Sequence, residues 1–151
     1  MSPVLRKAAG TDAEALGDLS FRSKASNGYD SDFMEACRDE LTVTAHTIAA
    51  GEVWIAEANG KPVGFFDIRL ENEALEVYSL YVDPDLKRSG VGRTLWAALE
   101  ERAVAMSAKA IELDADPAAV KFYTAMGCGV IGEAPSGSIP GRMLPRMRKW
   151  L

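Results

Sequence analysis

Apolar residues are densest in the middle of the chain, where they fall into three strand-like runs separated by turn signals. Val53 to Ala58 and Pro62 to Leu70 flank Asn59-Gly60, a pair that tolerates positive φ and is the strongest short hairpin signal. Glu71-Asn72 marks a second turn, and Ala74 to Val82 forms the third strand of a meander that Pro84 stops. From Gly90 the spacing changes. Val91, Leu95, Ala98, Leu99 and Met106 follow a period of about 3.6 residues, which predicts a long helix to about Ser107. Ala110 to Leu113 then returns to a strand. A helix carries the chain across, so this strand is expected to lie parallel to the one ending at Val82.

Shorter elements flank this centre. Val4 to Lys7 reads as a first strand. Thr11-Asp12 offers a cap for a helix reaching about Ser23, with Glu14 in its first turn and Leu16, Leu19 and Phe21 as apolar contacts. Asn27-Gly28 signals a turn, after which Asp30 or Ser31 caps a second helix to about Glu40. Thr44 to Ala50 adds one helical turn. Asp116 and Pro117 supply a cap and a first-turn proline for a helix that Gly127 ends. Gly129 to Ala134 and Arg142 to Leu151 are closing strands around the loop from Pro135 to Gly141. The order predicts an α/β fold as one domain over residues 1–151, a mixed, mostly antiparallel sheet covered by helices.

Composition narrows the function. The chain has 151 residues, enough for a single core, and its 48% hydrophobic and 26% charged content is that of a globular protein. A net charge of −5 argues against nucleic acid as the main partner, because phosphate binding over a surface needs a basic face. No apolar run is long enough for a membrane span, and the N-terminus lacks a signal-peptide core, so a cytoplasmic location is expected. Cys37 and Cys128 have no metal or redox spacing, and reduced thiols are expected.

Local charge runs against that acidic background. Leu80-Tyr81-Val82-Asp83-Pro84 runs into a basic loop, and Gly90 and Gly92 then open the long helix. The first turn of a helix carries N–H groups without intrahelical partners, and its dipole adds partial positive charge. Glycines let a bulky phosphate approach the backbone, so a side chain at Gly92 is expected to stand where a pyrophosphate would sit. Lys87, Arg88 and Arg93 add mobile positive charge. A nucleotide-phosphate binder fits less well: there is no Walker lysine spacing and no third Rossmann glycine.

Together these residues resemble the GNAT superfamily of acetyl-CoA-dependent N-acetyltransferases. The family's phosphate loop, Gln/Arg-x-x-Gly-x-Gly/Ala, matches Lys87-Arg88-Ser89-Gly90-Val91-Gly92, with lysine at the first position. A second signature, Asn-x-x-Ala-x-x-Phe-Tyr-x-x-x-Gly, matches from Asp116 through Ala119, Phe122 and Tyr123 to Gly127, with Asp116 in place of asparagine. The resemblance covers roughly residues 53–130. Ser23-Lys24-Ala25, Gly28-Tyr29 and the stretch from Ser136 to Arg142 are similar to a bacterial subgroup without an assigned substrate.

The resemblance implies acetyl-CoA as cosubstrate. Leu80, Tyr81 and Val82 would meet the pantetheine arm, and Lys87, Arg88, Ser89, Gly90, Val91, Gly92, Arg93 and Thr94 the pyrophosphate. Asp116, Ala119 and Phe122 would complete the cofactor site, and Tyr123 would serve the departing thiolate by protonating it or by hydrogen bonding. The implied acceptor is a small-molecule amine or a protein amino group, attacking directly in a ternary complex. The rival is a non-catalytic acyl-CoA-binding sensor on the same fold. Homodimers are common in the superfamily.

A base must also be found. An amine near pKa ~10 has to lose a proton, and a carboxylate near ~4 does this only when buried or working through water. Glu76 is the first candidate: it lies four residues before Leu80, so strand alternation puts both on one face unless a bulge intervenes. Glu73 and Asp67 are runners-up. His46, the only histidine, reads as a surface residue, and no His or Asp pattern makes Cys128 a nucleophile.

Overall fold

The computed structural model describes residues 2–151. Its centre is the expected meander: β2 (Glu52–Ala58), β3 (Lys61–Glu71) and β4 (Ala74–Val82) pair antiparallel. β1 (Val4–Lys7) adds to β2, and β5 (Ala110–Asp114) lies parallel to β4. β7 (Met143–Trp150) pairs antiparallel with β5, and β6 (Gly129–Pro135) closes the edge outside it. The seven-stranded sheet therefore runs β1-β2-β3-β4-β5-β7-β6.

Helices cover both faces. α5 (Val91–Ala105) and α6 (Val120–Ala125) pack on one, where Leu95, Leu99, Phe66, Ile68, Leu75, Ile111 and Met147 form a fully buried core. α1 (Ala13–Ala25), α2 (Ser31–Ala36), α3 (Arg38–Leu41) and α4 (Ala45–Ala50) lie on the other, over Ile55, Phe65 and Val53 and a smaller cluster of Met34, Cys37 and Leu41. His46 is exposed on α4, which Thr44 opens with a capping box.

Two local expectations change. The helix expected from Asp30 to Glu40 is two pieces. Asp30 caps the first through the Phe33 N–H at 2.8 Å, and the axis breaks at Cys37, whose buried side chain turns inward beside Met34 and Leu41. Asp12 does not cap α1. Its carboxylate accepts instead from Arg6 at 2.8 and 2.9 Å and from the Ala9 N–H at 2.8 Å, closing a short 3₁₀ turn ahead of the helix.

Two features of β4 set up the site. Asp67 pairs with Ser79 but Ile68 pairs with Val77, so Tyr78 is an extra residue, a β-bulge. Also, β4 and β5 pair only at Ala74–Ala110, Leu75–Ile111 and Glu76–Glu112. Beyond Glu76 the two strands part, leaving one edge of β4 without a neighbouring strand.

Candidate active site

A cleft of about 750 Å³ follows that fork, a size ordinary for a small-molecule site. Its inner end lies between Val77, Tyr78 and Ser79 of β4 and Asp114 at the end of β5; its outer end reaches the loop before α5. Of the residues expected from sequence, Leu80, Tyr81, Val82, Lys87, Arg88, Ser89, Gly90, Gly92, Arg93, Asp116, Ala119, Phe122 and Tyr123 line it. Glu76, Val91 and Thr94 do not.

The outer end has the geometry of an anion cradle. Gly90 sits at φ +95° as the N-cap of α5, and Arg88 two residues earlier is at φ +67°. The Thr94 N–H makes the first helical bond, to the Gly90 carbonyl at 3.0 Å, so the N–H groups of Val91, Gly92 and Arg93 have no intrahelical acceptor. Backbone donors, a helix dipole and the Arg88 and Arg93 side chains converge there, as a pyrophosphate requires. Val91 contributes backbone only, because its side chain is buried against the sheet. The Thr94 hydroxyl turns back to donate to the Gly90 carbonyl at 3.1 Å.

The glycines divide their work differently from the sequence expectation. A Cβ at Gly90 would meet nothing within 4 Å, so Gly90 is required by its backbone angle. A Cβ at Gly92 would stand 3.0 Å from the Phe122 ring, so the missing side chain lets α6 pack against the first turn of α5. Lys87 reaches across the cleft mouth, donating to Ser26 Oγ and, at 3.1 Å, to Asn27 Oδ1 at the end of α1.

Tyr123 forms part of the cleft wall on the α5–α6 side. It is buried, with its ring edge-on to Trp96 and Phe122 at centroid distances of 5.9 and 5.3 Å. The ring therefore packs as a core aromatic, while its hydroxyl makes no hydrogen bond among the described residues. Burial, with Cys128 and Asp116 nearby, raises the Tyr123 pKa, which keeps the phenol protonated. Burial pushes the Cys128 thiol up to about 11, consistent with an inert side chain.

Asp116 stands where the family signature has asparagine, and it is the hub of a polar network. It caps the turn into α6 through the Ala118 N–H at 2.9 Å and accepts from Tyr29 Oη at 2.9 Å and Lys24 Nζ at 3.1 Å. Arg142 from the β6–β7 loop donates to Tyr29 Oη at 2.7 Å and stacks over the Tyr29 and Phe33 rings. Burial opposes the Asp116 charge, but the Ala118 N–H, Lys24 and Tyr29 outweigh it and hold the pKa below the usual carboxylate value. Asp116 thereby joins α6 to the N-terminal helices and the β6–β7 loop.

Glu76 is placed differently from its sequence expectation. The Tyr78 bulge reverses alternation within β4: Leu75, Val77, Leu80 and Val82 pack on the α5 side, while Glu76 faces the other way. Both Glu76 oxygens accept from Arg146, at 2.6 and 2.7 Å. The same guanidinium reaches Asp114 at 3.0 Å and Glu112 at 3.2 Å, tying β4, β5 and β7 together where the strands part. Of the runners-up, Glu73 pairs with Lys109 on the surface, and Asp67 is buried beside Arg69 with Oδ1 unpartnered. Among the described residues no group of His, Cys, Asp and Glu has the arrangement of a metal site. Sequence reasoning did not single out Ser79, Asp114 or Arg146. A carboxylate at the end of the strand after the crossover was the one available signal.

The comparisons with known proteins agree with this geometry. The family model described as Acetyltransferase (GNAT) family matches residues 20–128. A GCN5-related N-acetyltransferase structure from Rhodopseudomonas palustris, also titled a class-II aminotransferase, is 28% identical with a TM-score of 0.85, over 100% of this chain and 97% of that one. The PaiA N-acetyltransferase of Thermoplasma acidophilum, solved with coenzyme A, is 20% identical with a TM-score of 0.81 over 100% of both chains. The ribosomal-protein-S18-alanine N-acetyltransferase of Escherichia coli is 18% identical with a TM-score of 0.72, over 98% of this chain and 93% of that one. No curated protein matches the sequence. No helix among the described residues is long and apolar enough to cross a membrane. With the family model matched across residues 20–128 and a cleft running from the α5 N-terminus to a strand fork, the chain belongs to the GNAT acetyltransferase family, whose cosubstrate is acetyl-CoA.

Proposed function

We propose that this protein moves an acetyl group from acetyl-CoA to a primary amine by direct attack in a ternary complex. The acceptor is a small molecule or a protein amino group. The observation that carries this reading is the Tyr123 hydroxyl, unpartnered and protonated in the wall of the cleft that the strand fork opens. A binding module without turnover has no use for a free phenol there; a leaving thiolate does.

Each part of the cleft then has a task. The α5 N-terminus with Arg88 and Arg93 holds the pyrophosphate, and the unpaired edge of β4 from Leu80 to Val82 offers backbone groups to the pantetheine arm and the thioester oxygen. Phe122 and Ala119 form an apolar wall. Tyr123 donates toward the sulfur. Burial holds the Tyr123 phenol above its ordinary ~10 and so further from a thiol near ~8.5, which favours a hydrogen bond that stabilises the thiolate over full proton transfer. Glu76, bound on both oxygens by Arg146, supplies a fixed negative charge on the acceptor side.

The test is release of free thiol from acetyl-CoA across a panel of primary amines, amino acids and peptides. Acceptor-dependent release is expected, and its absence across the panel refutes the enzyme reading. Tyr123→Phe keeps the ring and should keep the melting temperature, while kcat falls roughly 10²–10⁴-fold, the span of a general acid. An acyl donor with a more acidic thiol should narrow that deficit, and a constant deficit would return Tyr123 to packing alone.

A further inference from the structure

Four carboxylates stand at or beside the fork, and their unused lone pairs differ; Glu112 has both oxygens taken, by Arg146 and Arg148, and does not line the cleft. Asp116 has both oxygens taken, by Tyr29, Lys24 and the Ala118 N–H. Glu76 has both taken by Arg146, and it does not line the cleft. Asp114 does line the cleft, and its one partner is Arg146, which donates to Oδ1 at 3.0 Å; Oδ2 accepts nothing among the described residues. Its side chain is 39% exposed, so water reaches it.

Its direction follows from its neighbours. Leu113 and Ala115 are buried in the core that contains Tyr123, so Asp114 between them projects to the opposite face of the sheet. A thioester lying in the fork is thus flanked by the Tyr123 hydroxyl on one face and a carboxylate with a free oxygen on the other. The groups around Asp114 leave net negative charge. Arg146 and Arg148 of β7 face Glu76 of β4 and Glu112 and Asp114 of β5, two cations against three anions, with the bulged Tyr78 alongside.

We propose that Asp114 is a catalytic residue that receives the acceptor's ammonium group and takes its proton. The inference rests on the acetyltransferase reading above and deepens it, because it selects amines that are protonated at neutral pH. The ammonium R–NH₃⁺ passes one proton through a bridging water to the Asp114 carboxylate, whose exposed Oδ2 is free to bind that water. The freed nitrogen lone pair bonds to the thioester carbonyl carbon, and the C–S bond breaks with its electron pair leaving on sulfur. A second nitrogen proton goes to the sulfur, directly or by way of the Tyr123 hydroxyl. The products are the amide and the free thiol of CoA, and Asp114 returns its proton to water.

The experiment measures acceptor kcat/KM from pH 6 to 9 for wild type, Asp114→Asn and Asp114→Ser. The probes are the best primary alkylamine of the panel and p-anisidine, an arylamine that is neutral at pH 7. With the alkylamine, both variants should lose about 10²–10⁴-fold at pH 7. They should regain activity about tenfold per pH unit relative to wild type, because only the free-amine fraction reacts without the carboxylate. The deficit with p-anisidine should be small. Coenzyme A affinity and melting temperature should stay near wild type, since Arg146 keeps its bonds to Glu76 and Glu112. A variant within threefold of wild type, or a loss equal at every pH and for both probes, overturns the proposal. A wild type that releases CoA no faster with any amine than without one overturns both readings; wild-type turnover with unaltered variants overturns only this one.

Discussion

Gly90 and Gly92 stand two residues apart and should fail in different ways when a side chain is added. At Gly90 the obstacle is conformational. The residue sits at φ +95° with open space around a would-be Cβ, so alanine meets no neighbour but enters the left-handed region, which costs an L residue about 1–2 kcal/mol. At Gly92 the obstacle is the Phe122 ring. A Cβ there would approach Cε1 to 3.0 Å and Cζ to 3.4 Å, where carbon atoms prefer about 3.5–4.0 Å. Alanine also gains up to about 1 kcal/mol of helix propensity, so Gly92→Ala should lie within about 1 kcal/mol of wild type. Gly92→Val pushes two more methyl groups toward the ring and should cost about 1–3 kcal/mol. Phe122 is also cleft wall, so its displacement should weaken coenzyme A binding in proportion. Urea unfolding and calorimetry with coenzyme A separate the cases. Gly90→Ala should lose stability and affinity together, Gly92→Ala little of either, and Gly92→Val both. A Gly90→Ala variant as stable as wild type would refute the conformational argument, and an unaffected Gly92→Val would refute the ring contact.

Other substitutions test the surrounding electrostatics. Arg146→Ala removes the guanidinium shared by Glu76, Glu112 and Asp114 and should cost about 1–3 kcal/mol at pH 7. Urea unfolding of the variant and wild type at pH 7 would show the loss. Burial raises the Asp67 pKa despite Arg69, so the folded state disfavours its charge and the penalty grows as pH rises above the unfolded value. Asp67→Asn should therefore raise the melting temperature at pH 7, with the gain vanishing below about pH 3, where the wild-type group is neutral in both states. The lowered pKa values of Asp12 and Asp116 act in the opposite sense. Their stabilisation is present above about pH 4 and is lost as pH falls through the folded values, which an acid titration followed by circular dichroism would register.

The sheet, the crossover helix and the glycine turn that opens it were legible because each rests on local signals: the Asn59-Gly60 turn, the period from Val91, and Gly90 itself. What depended on tertiary placement was not. Asp12 offers itself as a cap in sequence, but Arg6, six residues earlier on β1, claims it once that strand is seated in the sheet. That a side chain at Gly92 would meet the Phe122 ring of α6 was not legible either. Tyr29 and Arg142 lie far apart in sequence, yet Arg142 donates to the Tyr29 hydroxyl, which in turn donates to Asp116, itself a departure from the family signature. The Glu76 expectation turned on a single inserted residue. Alternation over a strand is legible; a bulge is not, because it is fixed by the partner strand and the packing of both faces.

That bulge is itself open to test. Below Tyr78, Leu75 and Val77 pack toward α5; above it, Leu80 and Val82 do so, while Tyr81 packs beside Phe65 on the other face. Deleting Tyr78 restores strict alternation, and one half of β4 must then turn over. If the lower half holds its place, Leu80 and Val82 leave the α5 core and Tyr81 is driven into it. If the upper half holds, Leu75 and Val77 come out and Glu76 is pressed into an apolar core. Either outcome exposes two apolar side chains, at about 1.5–3 kcal/mol for each one fully buried, and misplaces a polar or bulky one as well. The deletion should therefore remove several kcal/mol and abolish coenzyme A binding, whereas Tyr78→Ala keeps the extra residue and should retain both fold and binding. Comparing the two by thermal unfolding and calorimetry isolates the inserted residue from its side chain. A deletion variant that folds with wild-type stability and binds coenzyme A would show that Tyr78 does not set the two faces of β4, and Glu76 would regain its claim to the cleft.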